Sequence, residues 1–490
     1  MTGKTSQEML AMALELSCLA YTMEIAPFLD AGWQDVSFQV DELLLTGFKS
    51  RKSCEQAAAR AKGRMERLDP LSQYRGFKRQ REESSACKAV VLCRPMQEKI
   101  QIAIAFTGTT RRMFEWLGNL RVEEEDGFHA GFLQLTRRFE ENAGKIEFPM
   151  LARALKMERC TLKDVLQQMK SGSDRYELLI TGHSQGAALT QIYVYRLLQQ
   201  GVPKECVRGV GFASPSVAAG RDIALAANYP VINVINADDA IGRVGGQMHI
   251  GMCRVLPSTP AYRRACYGQR AESAAMREAL MLLHEIRSTE YALLTMLAFS
   301  ESLLALPGAE GEEVLSSVLR LYLPDALSQR LTGYAYRMVR AVQRRVQAKY
   351  ERIAGTVQQG TLSSLTARWT AYLREYGAGE GVATVFDALF RTHSLAEKAQ
   401  LRAYQALVEI YVERLVSCIW MQKDDPVWDL GYSEERKGRM RGVAYHRFRP
   451  LSTQRRRYGD NLLCTEAAGR AGVFSLRLAA DDGKSGACDR

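Results

Sequence analysis

The stretch that most constrains this chain runs from Tyr176 to Gly201. A buried apolar run, YELLIT (Tyr176 to Thr181), gives way across Gly182-His183-Ser184-Gln185-Gly186 to a helix-spaced run, AALTQIYVYRLLQQ, that stops at Gly201. A strand that passes almost directly into a helix must turn sharply, and glycines on both sides of Ser184 leave room for that turn. Gly201 then offers the left-handed residue that ends a helix. The same alternation recurs on either side. AVVLCR (Ala89 to Arg94) and IQIAIAF (Ile100 to Phe106) are strand-like runs close enough to pair. A helix capped by Thr161 runs through LKDVLQQMK, and CVRGVGFA and VINVIN supply two further strands. Alternating strands and helices predict a mostly parallel sheet covered on both faces.

Beyond Ala271 the strand patterns disappear. Ala271 to Leu306 has one long helical pattern, closed by Pro307-Gly308, and Leu331, Tyr334, Met338, Val342, Val346 and Ile353 mark one face of another helix. Ser394 and Glu397 form a capping box ahead of a third long helix ending near Trp420. The expected organisation is a helical and loop segment over residues 1–88, an α/β core over 89–265, an all-helical region over 266–425 that returns to the core near 389–420, and a tail over 426–490. At 490 residues, two to four compact units are expected. No internal repeat is evident.

Charge and cysteine usage narrow the classes. The net charge is +11, but Arg436 to Arg457 alone holds nine Lys or Arg and no acidic residue, so much of the excess lies in a peripheral tail. Such a tail suits an anionic membrane surface. Nucleic acid is not expected, because neither interleaved aromatics nor a recognised nucleic-acid module accompanies it. The eleven cysteines include no CxxC pair, so neither a zinc site nor a disulfide framework is signalled, and a reducing compartment is expected. Glu8 and Glu15 interrupt the N-terminal apolar pattern, and the longest apolar stretch, Tyr291 to Phe299, is too short to span a bilayer. A cytoplasmic location is expected, with export lacking a cleaved signal as the other route.

GxSxG alone arises by chance in roughly one chain in six of this length. Placed between a strand and a helix, it becomes a nucleophile elbow, with Ser184 in a strained turn and the helix N-terminus aimed at the reacting centre. The N–H of Gln185 would be one oxyanion donor. A serine nucleophile needs a base and the base an orienting carboxylate. NADDAIGRV presents Asp238 and Asp239 just past a strand, where the active edge of such a sheet lies, and composition alone does not choose between them.

Residues 89–265 resemble the class 3 lipases, the fungal-lipase-like branch of the α/β-hydrolases. The likeness rests on AFTGTT, FEWLGNL, FHAGFL, ITGHSQGAAL, GFASPSV, NADDAIGRV and MHIGMCRVL, in that order, and the N-terminal SCLAY is similar to the family's opening. The resemblance implies an α/β-hydrolase-like sheet with a large helical insertion or appended region, and a serine hydrolase of carboxylic esters, a lipase or a phospholipase A, needing no metal or organic cofactor. It implies Thr109 as the second oxyanion donor beside Gln185. It matches Asp239-Ala240-Ile241-Gly242-Arg243 to the family's D-x-V-P-R, selecting Asp239. Two departures stand out: Thr107 replaces an arginine and Gly242 a proline, which would loosen their loops. Arg111, Arg112, Met113, Phe114, Trp116 and Leu117 lie where the family carries a lid. Of the six histidines, His129 and His183 read as structural, His249 matches a family histidine that is not the base, and His446 sits in the basic tail. His393, in the loop THSL, is the expected base, with His284 the alternative. A different class of function, a catalytically inactive scaffold whose helical region binds a partner, retains the same fold.

Overall fold

The computed structural model describes residues 3–40, 43–66, 88–96, 98–109, 124–218, 229–246, 248–256, 260–306, 308–320, 332–377, 381–393, 464–467 and 474–477. An eight-stranded sheet organises the chain. Its strands are β1 (Asp35–Val40), β2 (Leu43–Leu45), β3 (Ala89–Pro95), β4 (Ile100–Phe106), β5 (Tyr176–His183), β6 (Val207–Phe212), β7 (Val231–Asn236) and β8 (Met252–Leu256). They lie in the order β8-β7-β6-β5-β4-β3-β1-β2. From β4 to β8 every pairing is parallel, whereas β3, β1 and β2 add on antiparallel. The register sets Phe106 beside Gly182 and His183 beside Phe212, so β4, β5 and β6 end together. This is the mostly parallel sheet, covered on both faces, that the alternation implied.

Side-chain alternation divides the sheet into two unlike faces. Ile102, Ile104, Phe106, Leu178 and Ile180 point into one apolar cluster. It is closed by α3 (Ala130–Glu141), α4 (Leu162–Lys170) and α5 (Gln185–Gln199). Thr161 and Asp164 form a reciprocal cap on α4, and Gly201 (φ 90°) terminates the run of α5, as the sequence suggested. Ala103, Ala105, Leu179, Val210, Phe212 and Val234 point the other way. There α1 (Gly3–Thr22) and α2 (Arg51–Glu66) pack on the sheet. The small side chains of Ala103 and Ala105 let α1 lie close, and hydroxyls stitch it down: Ser17 Oγ is 2.9 Å from Thr181 Oγ1, and Thr107 Oγ1 donates to the Ala20 carbonyl.

The same cluster continues into the helical region. That region comprises α6 (Pro260–Tyr267), α7 (Ala274–His284), α8 (Thr289–Ala305), α9 (Gly308–Arg320), α10 (Thr332–Ala354), α11 (Gln359–Tyr376) and α12 (Gly381–Phe390). Phe299 on α8 meets Trp369 on α11 edge to face, 5.0 Å between centroids. No helix among the described residues is long and apolar enough to cross a membrane.

Two expectations need correction. Residues 1–88 hold not only helices and loops but also β1 and β2. In β1, Val36 and Phe38 face the apolar cluster while Asp35 and Ser37 are buried among polar partners. The Asp35 carboxylate accepts from the Met150 and Leu151 N–H groups, and Ser37 Oγ donates to the Glu147 carbonyl. A strand whose alternate residues are polar yet buried lacks the apolar run that marks its neighbours. The second correction concerns residues 271–306, which form α7 and α8 and not one helix. Ser288 caps α8 by accepting from the Tyr291 N–H, a start signal inside the apolar pattern. The capping box at Ser394 and Glu397, and Arg436 to Arg457, lie outside the described residues. Within 426–490 the described part is one antiparallel pair, Cys464–Ala467 with Phe474–Arg477.

Candidate active site

Ser184 sits at the joint between β5 and α5 with φ 56° and ψ −122°. A non-glycine residue in such a conformation costs about 1–3 kcal/mol and persists only where its surroundings over-determine it. The flanking glycines show why they are needed. A Cβ on Gly182 would stand 2.4 Å from the Gly186 backbone, and one on Gly186 would stand 2.2 Å from the Phe106 carbonyl oxygen. Ser184 is pinned through its N–H to the Phe212 carbonyl, and its own carbonyl accepts from Ala187 and Ala188, opening α5. Gln185 is thus the first residue of a helix whose leading N–H groups face the turn.

The segment after β4 runs against this joint. A Cβ on Gly108 would meet the Tyr21 hydroxyl at 2.1 Å and the His183 carbonyl at 2.3 Å, so only glycine lets the backbone approach so closely. Thr109 follows and is buried. Thr107, the first departure from the family pattern, is not idle, since its hydroxyl reaches the Ala20 carbonyl at 3.1 Å.

Past β7 the two aspartates face different partners. Asp239 is fully buried; its Oδ2 lies 2.9 Å from His393 Nδ1, and its Oδ1 accepts from the Ile241 N–H. Asp238 turns to the helical region, where Arg263 donates from Nε and Nη2 at 3.1 Å and His284 Nε2 stands 3.1 Å away. Arg243 ties this loop to α7 by donating to the carbonyls of His284 and Ala237. Burial draws its guanidinium below the usual range, opposed by Asp239 and Asp238. Gly242, the second departure, packs where a Cβ would stand 2.5 Å from Ile235 Cγ2.

His393 closes the arrangement. It follows α12, and its Nε2 is 2.8 Å from Ser184 Oγ while its Nδ1 faces Asp239. The structure therefore brings Ser184, His393 and Asp239 into one chain of hydrogen bonds, and leaves His284 at the far side of Asp238. An Nδ1–H donated to the carboxylate leaves Nε2 able to accept from the serine hydroxyl, the arrangement a general base requires. The other histidines lie elsewhere: His129 stacks on Phe132, and His249 Nε2 donates to the Ser214 carbonyl at 2.8 Å. His446 and the lid segment Arg111, Arg112, Met113, Phe114, Trp116 and Leu117 lie outside the described residues.

Sequence reasoning missed Asn236 and Tyr21 beside this chain, and read His183 as structural without its partners. The Asn236 side chain donates to the Thr392 carbonyl at 2.9 Å, and Tyr21 and His183 form a pair described below. SCLAY hinted at Tyr21, but no spacing rule links it to a partner 162 positions away. Among the described residues no group of His, Cys, Asp or Glu could hold a metal ion.

Residues 103–248 match the lipase (class 3) family. No curated protein matches the chain. Solved structures similar to it include a triacylglycerol lipase whose catalytic centre is a serine protease triad, 20% identical over 35% of this chain and 62% of that chain, TM-score 0.27. Another is the Rhizomucor miehei lipase propeptide complex, 17% identical over 52% of this chain and 69% of that one, TM-score 0.32. A third is lipase II from Rhizopus niveus, 17% identical over 35% of this chain and 63% of that one, TM-score 0.27. The chain thus spans 62% of the length of the first of them.

Proposed function

From a chain whose residues 103–248 match the class 3 lipases, we propose a serine hydrolase of carboxylic esters that works through an acyl-enzyme on Ser184. The observation that carries the proposal is the pair of hydrogen bonds, 2.8 Å from Ser184 Oγ to His393 Nε2 and 2.9 Å from His393 Nδ1 to Asp239. His393 takes the serine proton as Oγ attacks the ester carbonyl, and Asp239 holds the ring in the accepting tautomer and stabilises the imidazolium that forms. The carbonyl oxygen, now an oxyanion, is received by the backbone N–H groups of Thr109 and Gln185. His393 returns the proton to the departing alcohol, and water, deprotonated by the same ring, releases the acid. The strain at Ser184 keeps its hydroxyl presented, so little reorganisation precedes attack.

An ester or lipid is the substrate class, and triacylglycerols are the first natural candidates. The test is labelling of the full chain with a fluorophosphonate, followed by assays on p-nitrophenyl esters, triacylglycerols and phospholipids. Covalent labelling at Ser184 with ester turnover is expected, and absence of both would refute the proposal. Release of fatty acid from phospholipids alone would move the substrate to the phospholipase A type.

A further inference from the structure

His183 precedes the nucleophile, yet its own ring does not face the reacting atoms. The ring is buried and both nitrogens are engaged. Nε2 lies 2.5 Å from the carbonyl oxygen of His393, and Nδ1 lies 3.0 Å from the Tyr21 hydroxyl. A carbonyl can only accept, so Nε2 must carry the hydrogen. Nδ1 is then a bare acceptor, and the Tyr21 hydroxyl donates to it. Burial drives the ring's pKa down to about 3, with the nearby His393 imidazole adding to the drop and the bond to the His393 carbonyl opposing it. His183 is therefore neutral at working pH, with a single N–H that the His393 carbonyl draws to Nε2, while the Tyr21 hydroxyl donates to the Nδ1 lone pair this leaves.

That N–H falls on the backbone of the residue that contacts Ser184. The preceding carbonyl, Thr392, is taken by the Asn236 side chain at 2.9 Å. Two successive carbonyls of the segment carrying His393 are thus gripped, one from the end of β5 and one from the end of β7. Space around the grip is closed: a Cβ on Gly108 would collide with both the Tyr21 hydroxyl and the His183 carbonyl. Tyr21 itself is held by α1, whose Ala20 carbonyl receives the Thr107 hydroxyl.

We propose that Tyr21 and His183 are positioning residues: Tyr21 anchors the His183 ring by donating to Nδ1, and His183, donating from Nε2, holds the His393 backbone so that its ring faces Ser184. This rests on the reading of Ser184, His393 and Asp239 as nucleophile, base and orienting acid. The N-terminal helix thereby becomes part of the active-site support, although it lies outside the segment that matches the family.

The test combines a readout without substrate and one with it. In 15N-histidine-labelled protein, long-range nitrogen–proton correlations report which ring nitrogen of His183 is protonated; Nε2 is expected, with no titration between pH 5 and 8 on the order of the ordinary histidine range. Tyr21→Phe should leave Nδ1 without its donor, loosen the His183 ring, and slow acylation by a soluble ester about three- to tenfold at nearly unchanged KM, the size of one lost hydrogen bond. His183→Leu should slow it further, and His183→Gln, whose amide can still donate, should restore most of the rate. An Nδ1-protonated His183 in the wild type overturns the inference. So does acylation at the wild-type rate in both Tyr21→Phe and His183→Leu. A wild-type chain that never reacts with fluorophosphonate overturns the functional reading instead, and the nitrogen spectra tell the two failures apart.

Discussion

On one face of the sheet Ile104, Phe106 and Ile180 meet α3, α4 and α5, all drawn from residues 130–199. On the other, Ala105, Leu179 and Phe212 share one apolar cluster with helices drawn from residues 3–22, 51–66 and 274–390. The first face closes locally, since its helices come from one stretch of chain and α4, β5 and α5 follow one another with short connections. The second closes only when segments hundreds of positions apart have met, which defers its contacts behind long loop closures. The two faces also divide the site. Ser184 belongs to the β5–α5 joint, whereas His393 arrives from the end of the helical region. The chemistry therefore depends on the slow face being complete.

Removing one group from each side has the largest expected effect. Ser184→Ala and His393→Ala should each lower ester turnover by several orders of magnitude and to a similar residual level, because they disable the same step. Steady-state rates on a p-nitrophenyl ester, with circular dichroism to verify folding, provide the measurement. A His393→Ala variant that keeps a tenth of the activity would detach the helical region from the chemistry.

The neighbouring aspartates divide the same way, because one faces the base and the other faces the helical region. Asp239→Asn should cost several orders of magnitude in kcat with modest change in melting temperature, since the base loses its orienting charge. Asp238→Asn should spare most of the rate and lower stability instead. It leaves Arg263 and His284 facing a neutral amide, and breaking such a buried pair costs about 3–5 kcal/mol at most when one partner is removed. Side-chain exposure of 34% at Arg263 and 36% at His284 discounts that figure through solvent screening. His284→Ala should be mild in rate for the same reason. The reverse ranking of the two aspartates would mean that the loop presents the other carboxylate in solution.

The local face and the elbow were legible because each signal is contiguous: an apolar strand, two glycines and a helix-spaced run lie within twenty-six residues of sequence. Asp239 against Asp238 was not decided by composition, since both stand past the same strand; only the likeness to a family separated them. The base was legible only as a choice, because a histidine gains its partners through tertiary closure and not through its own neighbours in sequence. β1 was missed because Asp35 and Ser37 are buried polar residues whose partners lie more than a hundred positions away. The break between α7 and α8 was missed because apolar residues continue on both sides of Ser288. What escaped is in each case a long-range polar contact or a cap, and periodicity reads neither.

The smallest expected effect lies on α1, in the pH dependence of stability. Glu15 sits between the core residues Leu14 and Leu16, and burial pushes its pKa up to about 8. The folded chain holds that proton more tightly than the unfolded chain does. Glu15 thus contributes stability that is present below the unfolded value near 4.5 and is lost as pH rises through about 8. His183 works in the opposite sense. Its folded pKa of about 3 lies below the unfolded 6.5, so its contribution is present above 6.5 and fades as pH falls through 3. Glu15→Gln, neutral at every pH, should leave the melting temperature near pH 4 almost unchanged and raise it by several degrees near pH 8. His183→Gln should flatten the acid limb and leave the alkaline limb alone. Melting curves from pH 4 to 9 on both variants separate the two slopes. A Glu15→Gln curve parallel to the wild type at every pH would show that α1 keeps this side chain hydrated, and that the second face packs less closely around it than the first face packs around Phe106.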